Sequence, residues 1–143
     1  MDIRIDGEDA VRLLTEVVTA RGADTVYRTE INEAGYPGLC VYAKGGEPSC
    51  LVGHALAAGG YDVAALERLD AHEVTSADSI GEVLSGVTGE AETVFQAAQE
   101  VQDFGGDWGT ALAEAEATYQ AILAQAEDDA DEYARLQSEG ALA

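Results

Sequence analysis

Cys50 and His54 are the side chains of this 143-residue sequence best placed to do chemistry together, four residues apart in a stretch that reads as helix. That spacing puts them on one face. A thiol in the first turn lies at the positive end of the helix dipole, where the thiolate is favoured and a neighbouring imidazole can take the proton. The competing reading is a small apolar cysteine packed under a preceding strand, with His54 bonded to a backbone carbonyl. Spacing offers no third group to orient the imidazole, so Cys50 and His54 remain candidates and no catalytic residue is assigned.

With Cys40 and His72 they make four ligands of the types and number that a structural zinc takes. The C-x9-C-x3-H run can close on an ion across a turn into a helix, but paired C-x2-C or H-x3-H elements are missing on one side and His72 follows 18 residues after His54. Zinc is therefore the alternative to no cofactor, and a Cys40 turned into the core is the alternative to zinc. The acidic loop Phe104 to Gly109, preceded by Glu100 and Asp103, lacks the ligand ladder and terminal Glu of an EF-hand. A helix breaker followed by an Asp107 N-cap accounts for it, with Trp108 as a packing anchor between two helices. No glycine-rich phosphate loop of standard spacing is present.

These residues need a scaffold to hold them. Leu39 to Ala43 has strand composition, Gly45-Gly46 suits a tight turn, and Pro48 keeps any returning strand brief. Ser49 stands where an N-cap belongs, ahead of a helix from Cys50 to Ala57 that Gly59-Gly60 closes. Upstream, Asp6 to Glu8 cap a helix with apolar positions Ala10, Leu13, Leu14, Val17 and Val18, ended by Gly22. Residues 24–38 read as irregular or a short strand plus loop.

Downstream, Val63, Leu66 and Leu69 mark a short helix after Asp62. Thr75, Ser76 or Asp78 can cap another around Ile80, Val83 and Leu84, and Thr88 opens a longer one with face Ala91, Val94, Phe95, Ala98 and Val101. Asp107 caps the last, carrying Leu112, Ala115, Tyr119, Ile122, Ala126, Tyr133 and Leu136; about 28 residues at 1.5 Å each make it roughly 42 Å long. The expected fold is mostly α (α or α+β). It is a single compact domain of about five to six helices with a small strand-turn element near 39–50, spanning 1–126, with 127–143 an acidic continuation of the last helix.

Charge restricts the partners. Acidic residues number 28 against 7 basic, a formal −21, and residues 61–143 hold 19 of the acids with 2 of the bases. Between Arg68 and Arg135 there are 16 acids and no Lys or Arg. Such a surface repels phosphate, which argues against direct nucleic-acid binding. The acidic N-terminus (MDIRIDGEDA) is no basic-then-apolar leader, and no apolar run approaches the roughly 18 residues of a membrane span. A cytoplasmic protein is expected, without membrane contact.

The patterns Cys40-x-Tyr42 with Gly46-x-Pro48-Ser49-Cys50-Leu51-Val52-Gly53-His54-x-Leu56, and Ala98-Gln99-x-x-Gln102-Asp103-x-Gly105-x-x-Trp108-Gly109-x-Ala111-Leu112, resemble a group of small actinobacterial and phage proteins. The resemblance covers about residues 8–115 and implies no activity. It does imply a phage or mobile-element setting, and a host component as target.

The expected function is a non-enzymatic, acidic protein-protein interaction module that masks a basic, nucleic-acid-binding surface of another protein. Its interaction residues are Glu90, Glu92, Glu100, Asp103, Asp107, Glu114, Glu116, Glu127, Asp128, Asp129, Asp131 and Glu132. A small metal-binding or thiol-dependent protein using Cys40, Cys50 and His54 is the alternative. The seam Tyr119, Ile122, Ala126, Tyr133 and Leu136 further suggests a homodimer through antiparallel C-terminal helices, strengthened by salt that screens the carboxylates.

Overall fold

The computed structural model describes residues 3–27, 41–71 and 80–139. Among them the chain is mostly helical, with one two-stranded antiparallel sheet, and forms a single compact domain. None of these helices is long and apolar enough to cross a membrane.

Helix α1 (Gly7–Arg21) starts at a capping box: Asp6 Oδ1 accepts from Asp9 N at 2.9 Å, and Asp9 Oδ2 accepts from Asp6 N at 3.2 Å. Its expected stripe, Ala10, Leu13, Leu14, Val17 and Val18, is buried. Gly22 ends it at φ +108°, where a side chain would be strained.

Strands β1 (Ala43–Lys44) and β2 (Glu47–Pro48) pair Ala43 with Pro48 and Lys44 with Glu47 across a turn at Gly45 and Gly46, whose φ values are +63° and +82°. The hairpin is brief, as Pro48 requires. Of the stretch expected to be a strand only Ala43 lies in β1, while Leu39 and Cys40 lie outside the described residues. Asp70, farther along the chain, holds this hairpin, its two carboxylate oxygens accepting from Tyr42 N at 2.9 Å and Ala43 N at 3.1 Å.

Helix α2 (Leu51–Ala58) is capped by Cys50, one residue later than the expected Ser49. The physical reason is remote in sequence: Ser49 Oγ lies 2.8 Å from the Tyr27 hydroxyl, which engages it elsewhere. Helix α3 (Val63–Ala71) opens with Asp62 Oδ1 accepting from Ala65 N at 2.9 Å. Helix α4 (Ile80–Val83) is one turn; its expected caps Thr75, Ser76 and Asp78 lie outside the described residues.

Thr88 caps α5 (Gly89–Asp103), burying Ala91, Val94, Phe95 and Ala98 as expected. Gln99 and Gln102 extend the same buried face, where only apolar residues were expected. Asp107 Oδ1 caps α6 (Trp108–Ser138) through Thr110 N at 2.7 Å. Two further amides at this helix start are satisfied from across the fold, Trp108 N by Thr25 O and Gly109 N by Ala23 O.

α5 and α6 form the most extensive helix pair, and α1 packs against α2, α5 and α6 around one core. α6 is 31 residues long, three more than expected, yet only Trp108, Ala111 and Ala115 are buried. Packing against the core ends at Ile122. The body is narrower than the seam suggests.

Candidate functional site

The two sequence patterns meet in space, one on the β-hairpin and α2, the other on α5 and the start of α6. Tyr42 Oη donates to Gln99 Oε1 at 3.1 Å, Leu51 N donates to Gln102 Oε1 at 2.8 Å, and the His54 and Trp108 rings meet edge to face with centroids 5.9 Å apart. Gly53 permits the approach, because a Cβ there would collide with the Tyr42 carbonyl. The shared role of these residues is to lock the hairpin and α2 against α5. Gln99 and Gln102 went unassigned in the sequence; their signal was two amides at helical spacing continuing an apolar stripe.

Cys50 is fully buried, and its Sγ accepts from Gly53 N at 3.4 Å as the cap of α2. His54 N donates to Cys50 O at 2.9 Å within the helix, but among the described residues no hydrogen bond joins Cys50 Sγ to the His54 ring, and a sulfur without access to solvent is not placed to attack a substrate. For Cys50 the geometry favours the packing reading. Burial, followed by the Arg21 guanidinium, holds His54 below its ordinary value, with Glu47 pulling the other way. Trp108 is buried too, and its Nε1 has no hydrogen-bond partner among the described residues.

Among the described residues no three His, Cys, Asp or Glu side chains are grouped to hold a metal ion. Cys40 and His72, on which the four-ligand zinc expectation depends, lie outside those residues.

The twelve interaction carboxylates divide by use. Glu92 Oε2 accepts from Gly81 N at 3.0 Å, Asp103 Oδ1 accepts from Gln102 Nε2 at 3.2 Å, and Asp107 caps α6, so these three are engaged within the fold. Burial raises Asp103 above the usual carboxylate range, with the Gln102 amide opposing, whereas the Thr110 hydrogen bonds lower Asp107. Glu90, Glu100, Glu114, Glu116, Glu127, Asp128, Asp129, Asp131 and Glu132 are exposed.

No family model, curated protein or solved structure matches the chain. Function therefore has to be argued from the surface itself, and its most unusual part is the free half of α6. Every residue from Leu123 to Ser138 is exposed except Leu136, which is half-buried; Leu123 and Tyr133 are 42% and 58% exposed. These sixteen residues extend about 24 Å at the helical rise. Ala126, Ala130 and Tyr133 continue, at three- and four-residue steps, the face that Ala111, Ala115 and Ile122 turn to the body. Around that stripe stand Glu127, Asp128, Asp129, Asp131 and Glu132, while Arg135 is paired with Glu139 at 3.1 Å.

Proposed function

We propose that this protein is a non-enzymatic docking module whose free half of α6 seats on a basic surface of another protein, covering a surface that would otherwise bind nucleic acid. The observation that supports this is a helix standing clear of its own body with an apolar stripe open and five carboxylates beside it. Such an arm is poorly supported alone. Beyond Ile122 it continues α6 without packing support from the core, and Glu127 with Asp131, and Asp128 with Glu132, are like charges at i, i+4 that cost a few tenths of a kcal/mol per pair.

A partner rich in Lys and Arg removes that repulsion and covers Tyr133, so the arm gains from docking what it lacks when free. A second copy of the chain would cover the stripe while bringing more carboxylates to it. The basic partner is the better complement. Carboxylates along a helix can occupy the positive groove that nucleic-acid phosphates use, which is the sense in which the arm masks such a surface.

Displacement of a fluorescent DNA duplex from a small basic DNA-binding protein tests the reading. Full-length chain is expected to displace it at low salt and progressively less as salt rises, and a variant with E127Q, D128N, D129N, D131N and E132Q is expected to lose the effect. Equal displacement by that neutralised variant would contradict the proposal.

A further inference from the structure

A second feature lies apart from α6. A cavity of about 550 Å³ opens between the N-terminal segment, the α2–α3 connection, α3 and the α4–α5 turn. Arg4, Tyr61, Arg68 and Ser85 give it polar groups, while Ile3, Val83 and Leu84 give it apolar wall. In a chain whose acids outnumber its bases four to one, two arginines line this cavity and, among the described residues, no Asp or Glu does.

Nor are the two guanidinium groups engaged elsewhere. Arg12 is paired with Asp9 and Glu16, and Arg135 with Glu139, but Arg4 and Arg68 form no ion pair or hydrogen bond among the described residues. Two guanidinium groups lining one cavity whose described lining holds no carboxylate favour an anion there.

The walls are fixed in advance. Ile5 N donates to Gly86 O at 2.8 Å and Thr88 N donates to Ile5 O at 3.0 Å, a parallel bridge that holds the segment carrying Arg4. A Cβ at Gly86 would strike the Ile3 carbonyl and come within 2.5 Å of the Tyr61 hydroxyl, so the turn, the N-terminal segment and Tyr61 are in close contact. Burial raises the Tyr61 phenol above its ordinary value, the Gly86 backbone opposing, so this hydroxyl stays a donor at neutral pH.

We infer that this cavity is a binding site for a small organic phosphomonoester, with Arg4 and Arg68 on the phosphoryl oxygens and the Ile3, Val83 and Leu84 wall against the organic part. The volume is that of an ordinary small-molecule site. Guanidinium forks match a phosphoryl group, and the field of carboxylates outside the lining, Asp62, Glu67 and Glu82 among them, is weakened by salt with a screening length of about 8 Å at physiological ionic strength. The site involves no residue of the α6 arm and stands or falls separately from it.

The test is a ¹H–¹⁵N NMR titration of the full chain with phenyl phosphate, inorganic phosphate and benzyl alcohol. Phenyl phosphate is expected to give saturable shifts at the amides of Ile5, Gly86, Val87 and Thr88, with weaker binding of inorganic phosphate and none of benzyl alcohol. R68Q, on the exposed side of α3, and R4Q are each expected to weaken binding about tenfold or more while the thermal midpoint holds. No saturable shift with phenyl phosphate, equal shifts with benzyl alcohol, or affinity unchanged in both variants would overturn the site. Inorganic phosphate binding as tightly as phenyl phosphate would overturn the organic part of the assignment.

Discussion

Gln102 Oε1 accepts the Leu51 amide at 2.8 Å, so a side chain from the last turn of α5 satisfies one of the first amides of α2. Both residues are buried, and the link spans 51 residues of chain. Gln102→Leu leaves that amide without a partner and is expected to cost about 1–3 kcal/mol, read as a lower urea midpoint at unchanged m-value. A loss below about 0.5 kcal/mol would mean that the amide finds another acceptor.

Trp108 gives the opposite pattern. Its ring is buried against His54, but Nε1 has no hydrogen-bond partner among the described residues, so Trp108→Phe removes a donor unsatisfied there along with some packing. The two effects offset. Trp108→Phe is expected to stay within about 1 kcal/mol of the parent in chemical denaturation, and Trp108→Ala to lose about 3–5 kcal/mol.

His54 supplies a pH dependence of known sign. Burial and then Arg21 hold it below its ordinary value near 6.5, so the unfolded chain takes up the proton first as pH falls. Stability from this group is therefore present above about pH 6.5 and lost as pH drops through the folded value. His54→Phe keeps a ring beside Trp108 and cannot titrate; the parent is expected to lose stability relative to it as pH falls below about 6.5. Parallel curves would place His54 in a more open setting.

Much of the fold was legible because its signals are local. The stripe Ala10 to Val18, its Asp6 cap and the Gly22 stop sit within a few residues of one another, as do Thr88 with the α5 face and Asp107 with α6. What could not be read depends on distant partners. Ser49 yields its capping place to Cys50 because its hydroxyl meets Tyr27, and Gln99 bonds a tyrosine 57 residues away. Arg4 and Arg68 are remote in sequence and line one cavity, to which the Ile5–Val87 bridge and the turn at Gly86 hold the segment carrying Arg4. Where α6 leaves the body is likewise a tertiary matter, since the three-four repeat continues through Tyr133 whether or not the body reaches it.

Salt separates the two occupants of the arm by sign. Docking on a basic surface weakens as salt rises, whereas pairing of two acidic arms strengthens, because the same screening removes attraction in one case and repulsion in the other. Light scattering on the chain alone is expected to give a monomer mass at physiological salt, with any growth confined to high salt. A dimer already present at low salt would make the second copy the natural occupant.

The most direct measurement is amide hydrogen exchange along α6, with and without a Lys-rich amphipathic helical peptide of about 20 residues carrying one leucine face. Residues 123–138 are expected to exchange fast in the free chain and to become protected when the peptide saturates, while the α1 and α5 cores stay unchanged. Tyr133→Ser is expected to reduce the protection, and the five-carboxylate neutralisation to abolish it, marking a docked face and not bare charge attraction. Exchange in the arm that is unaltered by the peptide, or protection equal in the neutralised variant, would contradict the claim that the free half of α6 is a docking element for a basic partner.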